Sequence, residues 1–192
     1  MGTMSDIIRL SVISSLILIG CRTTTPSDFP DSSGAYHVYP GDSVQNALDA
    51  AARSDTAKRV IVHAGTYRPT VRAQALIHFN AVHDGITLEA EGQVTLTAAN
   101  PDIADRSAAS YPAVANHVVY FGDGISRKTV LRGFQITGAN GFITRAEKPV
   151  RIETLPIDSP LKQRIFFYTD GGGIKIFGRS YPTIEDVDIY NN

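Results

Sequence analysis

The residues that decide the fold are GGGIKIFGRSYPTIEDVDIYNN, Gly171–Asn192, because they repeat a pattern set earlier in the chain. IKIFG at Ile174–Gly178 matches VVYFG at Val118–Gly122, and IEDVDIY at Ile184–Tyr190 matches LRGFQIT at Leu131–Thr137. In the second pair Leu131, Phe134 and Ile136 align with Ile184, Val187 and Ile189. A recurring unit of this kind implies neighbours that stack to bury a shared apolar face. Strand alternation then predicts that Ile174, Ile176, Val187 and Ile189 point into one core, while Lys175, Glu185 and Asp188 point to solvent. The copies lie further apart than one turn of such a stack, so Asn100–Asn116 and Phe142–Asp170 are expected to be extruded as loops.

Working outward, apolar β-rich runs predict further strands at Arg59–Tyr67 (RVIVHAGTY), Gly85–Ala90, Val94–Thr97, His117–Phe121, Val130–Thr137, Gly173–Phe177 and Thr183–Tyr190. One segment has helical spacing instead. In Asp42–Arg53 (DSVQNALDAAAR) the positions Val44, Ala47, Leu48 and Ala51 share a face, and Asp42 or Ser43 can cap the first turn. Sixteen Gly, ten Pro and no Trp also favour strands and turns over a helical bundle.

The opening VYPGDSVQNALDAAARSDTAKRVIVHAGTY, Val38–Tyr67, resembles the start of pectin-lyase-like proteins, and Gly171–Asn192 resembles their repeating coils. The resemblance covers roughly residues 36–192. It implies an all-β fold, a right-handed single-stranded parallel β-helix with a short α-helix capping its N-terminal end. It also implies that the helix is incomplete at its C-terminus, since only Asn191 and Asn192 follow the last apolar strand. Such an uncapped end is expected to self-associate. Alternation and turns alone would also allow a β-sandwich.

The first residues read as an address. Leu10–Ile19 (LSVISSLILI) is apolar but shorter than the roughly 20 residues a membrane-spanning helix needs, which fits a signal-peptide core. Leu18-Ile19-Gly20-Cys21 resembles the lipobox of bacterial lipoproteins, which implies lipid attachment at Cys21. The other reading of this run is a buried apolar segment with an incidental Cys. The division expected is a signal peptide at residues 1–20, a flexible tether at 21–35 rich in Ser, Thr, Pro and Asp, and a folded domain at 36–192. Arg22 stands where lipoproteins kept at the inner membrane carry Asp, so the expected location is the cell envelope, at the outer membrane.

Eighteen basic and nineteen acidic residues give a net charge of -1, without the basic excess by which nucleic-acid binders neutralise phosphates. A single Cys allows no internal disulfide. His37, His63, His78, His83 and His117 form no close-spaced ligand set, so no metal site is predicted. Calcium enters only through the family resemblance, whose members include binders and cleavers of acidic polysaccharides. The expected function is an envelope-anchored module that binds polysaccharide, with Asp170, Lys175, Glu185 and Asp188 as candidate contacts. A polysaccharide lyase or glycoside hydrolase, with its active site partly beyond this chain, is the enzymatic alternative; a structural envelope protein or adhesin is the third. No catalytic constellation is recognisable. The outward charges also fit an ordinary wet sheet face, and Gly171-Gly172-Gly173 fits simple turn chemistry. KQRIFFY at Lys162–Tyr168 could stack on sugar rings or be an apolar strand flanked by charge.

Overall fold

A computed structural model describes residues 29–140 and 171–192. The elements in chain order are β1 (Ala35–Val38), α1 (Val44–Arg53), β2 (Arg59–Tyr67), β3 (Ala73–Phe79), a single 3-10 turn at Ala81–His83, β4 (Thr87–Thr97), β5 (Ala115–Phe121), β6 (Val130–Thr137), β7 (Gly172–Ile176), β8 (Thr183–Glu185) and β9 (Asp188–Ile189). The strands fall into two sheets. One runs β1-β2-β4-β6-β8, with β9 also on β6, and the other runs β3-β5-β7. Every pairing between these strands is parallel.

Alternation explains how the larger sheet presents its faces. Val60 and Val62 of β2, Leu88, Val94 and Leu96 of β4, and Leu131, Phe134 and Ile136 of β6 are buried. The residues between them are polar or half-exposed and form the opposite face. The sheet bends across its middle, where the register shifts in the β2–β4 and β4–β6 pairings. Gly92 and Gly133 sit at these shifts with φ of +81° and +82°, a backbone that side chains rarely adopt. A Cβ on Gly92 would also lie 3.1 Å from the Ala64 side chain.

Both sheets and α1 contribute to one core. From the smaller sheet come Ile77, Phe79, Val119 and Phe121, with the rings of Phe79 and Phe121 stacked at 4.7 Å. From the helix come Val44, Leu48 and Ala51. The Ser43 side chain caps α1 by accepting from the Asn46 N–H. Two side chains then fix the helix against β3 and the 3-10 turn. Gln45 accepts from the His78 N–H at 2.7 Å and donates to the His78 carbonyl at 3.1 Å, while Asp49 accepts from buried His83 Nε2 at 2.9 Å. The Asn80 N–H donates to His83 Nδ1 at 3.1 Å.

Asp84 joins the end of this turn to the loop before β6. It accepts from the Ser126 N–H at 2.7 Å and from the hydroxyls of Ser126 and Thr129 at 3.1 and 3.0 Å. Burial opposes its charge, but these donors outweigh burial and hold its carboxyl below the usual range.

The all-β, right-handed single-stranded parallel β-helix expected from the sequence is corrected by this arrangement. The described residues form a mixed α/β structure of two parallel sheets built from short strands, and a β-helix is not shown. The apolar repeat specifies parallel neighbours with one buried face, and carries no information on how the sheets close around the core. The helix also contributes Leu48, fully buried, to the core shared by both sheets.

The burial expected of the four inward residues is corrected as well. Ile174 and Val187 pack against the core, but Ile176 is 46% exposed and Ile189 is 53% exposed. Among the described residues both stand on strands paired on one side only, β7 with β5 and β9 with β6. The match of IKIFG to VVYFG is displaced by one residue, since Ile174 pairs with Val119 and Ile176 with Phe121. The pairing of Leu131 with Ile184 and of Ile136 with Ile189 follows the repeat as read.

Candidate functional site

The face of the larger sheet turned away from the core carries side chains in rows that cross the strands. His37, Ile61, Glu89, Arg132 and Glu185 lie in register on β1, β2, β4, β6 and β8. A second row is Thr66, Thr95, Gln135 and Asp188. Parallel strands hold the same outward parity in every neighbour, so one polar position per strand becomes a polar stripe.

Charges along the first row alternate. Glu89 accepts from the Arg59 guanidinium and lies 3.8 Å from Arg132, whose Nε donates to Glu185 at 2.7 Å. In the second row the Thr95 hydroxyl donates to Gln135 Oε1 at 3.2 Å. The Arg132–Glu185 pair is exposed, and exposed ion pairs contribute about 0–1 kcal/mol, so it chiefly orients its two side chains.

A denser cluster sits where β1, β2 and β4 meet. His37 Nδ1 is 2.8 Å from His63 Nε2, His37 Nε2 is 3.0 Å from Asp31, and His63 Nδ1 is 2.8 Å from Glu91. The Tyr39 ring lies over His63 at 4.2 Å with an interplanar angle of 5°. Asp31 is held well below the usual carboxylate range, first by the Ala35 N–H, then by His37 and Ser33. Both histidines are half-buried, while Glu91 is 64% exposed at its side chain.

Elsewhere a shallow groove of about 390 Å³ runs between the start of α1 and the β2–β3 connection, lined by Ser43, Gln45, Tyr67, Arg68, Thr70 and Leu76 among others. It contains none of the residues predicted as contacts. Among the described residues no group of three or more His, Cys, Asp or Glu is placed to hold a metal ion, and no helix is long and apolar enough to cross a membrane.

The candidate contacts predicted from the sequence are divided between the sheets. Glu185 and Asp188 end the two polar rows, so they belong to one face. Lys175 lies on β7 beside Tyr120, in the other sheet. Asp170, Lys162–Tyr168 and Cys21 fall outside the described residues. Sequence reasoning weighed His37 and His63 only as metal ligands and passed over Asp31, Tyr39 and Glu91; the five are adjacent only because β1 pairs with β2 and β2 with β4. The signal available was the outward parity of His63 on the predicted strand Arg59–Tyr67.

No family model, curated protein or solved structure matches this chain. The chemistry of the site is therefore carried by its residues and their geometry.

Proposed function

We propose that the outer face of the larger sheet binds a polysaccharide of the cell envelope or its surroundings, on a chain exported and anchored through Cys21. The observation that supports this most is the two in-register polar rows. Strands lie about 4.8 Å apart, so the polar members of the first row, His37, Glu89, Arg132 and Glu185, spread donors and acceptors over roughly 19 Å, with Ile61 between the first two. An extended polysaccharide presents hydroxyl-bearing rings at a comparable interval and needs an open strip more than a deep pocket. Arg132, Gln135 and Thr95 offer polar contacts along such a strip, and the Tyr39 and His63 rings at its edge offer an apolar face for sugar C–H groups.

The test is equilibrium binding of the full chain to a panel of neutral and uronate-containing polysaccharides. Combined Arg132→Ala and Gln135→Ala substitutions are expected to weaken binding about tenfold or more, equivalent to about 1.4 kcal/mol, with an unchanged circular dichroism spectrum. Binding to none of the panel, or unaltered binding by the variant, overturns the reading. A rise in ultraviolet absorbance from unsaturated sugar ends would show turnover by elimination and move the function to a lyase.

Anchoring is tested separately. A fatty-acid analogue fed to bacteria expressing the chain is expected to label the wild type and to leave Cys21→Ser unlabelled. Equal labelling of both excludes Cys21 as the attachment point.

A further inference from the structure

We propose that the groove between the start of α1 and the β2–β3 connection receives an extended acidic peptide of a partner protein, which adds a strand to the free edge of β3. This surface is separate from the outer face of the larger sheet and does not depend on what that face binds.

The edge follows from the pairing of β3. The Ala73 N–H donates to the Val114 carbonyl at 3.0 Å, and the Phe79 carbonyl accepts from the Gly122 N–H at 2.8 Å, both on the side of β5. Successive residues of a strand turn their backbone groups to opposite edges, so Ala73, Ala75, Ile77 and Phe79 serve β5. Gln74, Leu76 and His78 then present their N–H and C=O groups to the other edge. At His78 that edge is taken, because Gln45 of α1 accepts from the N–H at 2.7 Å and donates to the carbonyl at 3.1 Å. A side-chain amide carries a donor and an acceptor as a peptide group does, so Gln45 stands in for a neighbouring strand at this one position.

The helix covers only that end of β3. Among the described residues β3 pairs with β5 alone, and Gln74 and Leu76 make no backbone hydrogen bond on the opposite edge. Their two N–H and C=O pairs recur at about 6.6 Å, the two-residue repeat of an extended chain. Leu76 lines the groove, together with Ser43 and Gln45 from the helix and Tyr67, Arg68 and Val71 from the end of β2 and the connection. The groove volume of about 390 Å³ falls within the roughly 300–1,000 Å³ of ligand sites.

Donor and acceptor pairs at this repeat match alternate residues of an extended peptide, whose main chain supplies affinity and whose side chains supply specificity. Val71, 68% exposed, and half-buried Leu76 offer apolar surface to those side chains. Arg68 sets the charge. It is exposed and, among the described residues, has no ion pair or hydrogen bond. Asp42, the other charged residue lining the groove, accepts from the Tyr39 N–H at 3.0 Å. The cation left over is complementary to a carboxylate on the peptide.

The experiment passes a library of capped random hexapeptides over the immobilised full chain and sequences those retained. Retained peptides are expected to be enriched in Asp and Glu, and Arg68→Glu, at an exposed position outside the core, to turn the preference to Lys and Arg. The alternate amides of a retained peptide are then methylated one set at a time; one set should weaken binding about tenfold or more and the other little, since only one set faces β3. In 15N spectra the Gln74 and Leu76 amides are expected to exchange faster than those of Ala75 and Ile77 in the free chain, and to gain protection with peptide. No enrichment, retention indifferent to Arg68→Glu, or peptide-induced protection away from β3 overturns the proposal. So does protection of Gln74 and Leu76 in the free chain, which places another part of the chain or a second copy on that edge.

Discussion

Phe121→Ala is expected to lower the unfolding free energy by about 3–5 kcal/mol, the range for truncating a fully buried aromatic side chain. Phe121 is wholly buried on the central strand of the smaller sheet. Its ring stacks on Phe79 at 4.7 Å and its backbone pairs with Phe79 on one side and Ile176 on the other. Truncation therefore removes a stack and leaves a void that β3 and β7 cannot both move to fill, because each is held in register by its hydrogen bonds to β5. Chemical denaturation followed by circular dichroism measures the change. Val82→Ala, on a side chain 66% exposed, is the control and should stay within about 0.5 kcal/mol of wild type. A Phe121→Ala loss as small as the control's would mean that the Phe79–Phe121 contact is not part of a packed core.

Local pattern carried most of the larger sheet. β2 and β6 were legible because β-branched residues alternate with polar ones and a glycine closes the run, and α1 because Val44, Leu48 and Ala51 recur at helical spacing. Two strands were not. β3 reads AQALIHF, which lacks alternation and holds two alanines, and β1 is four residues set beside proline and glycine. Both are strands because tertiary partners supply the burial that propensity does not. The two predicted segments Gly85–Ala90 and Val94–Thr97 belong to one bulged strand, since Gly92 interrupts the apolar alternation without ending the pairing. Missing β1 also hid the site. His37 and His63 are 26 residues apart, and nothing local states that they touch. Closure of the sheets into a β-helix was implied by the family resemblance, whereas the repeat itself carries only parallel stacking, and that closure was overturned.

Leu131→Ala is expected to cost about 2–5 kcal/mol, while Ile184→Ala, at the paired position one strand further on, should cost under about 1 kcal/mol. The two residues are register partners and occupy the same parity of the same sheet. By pattern alone they are equivalent. Leu131 is fully buried because β6 lies between β4 and β8, so neighbours cover its side chain from both directions. Ile184 is 37% exposed, and among the described residues β8 pairs with β6 alone. The free energy lost on truncation scales with the apolar area removed from water and with the cavity left behind, and a side chain open to solvent leaves little of either. Denaturant midpoints of the two variants under one set of conditions test this directly. Equal and large losses would mean that Ile184 is covered in solution by a contact outside the described residues, either another part of the chain or a second copy. Size-exclusion chromatography with light scattering would tell these apart, since only the second copy doubles the mass.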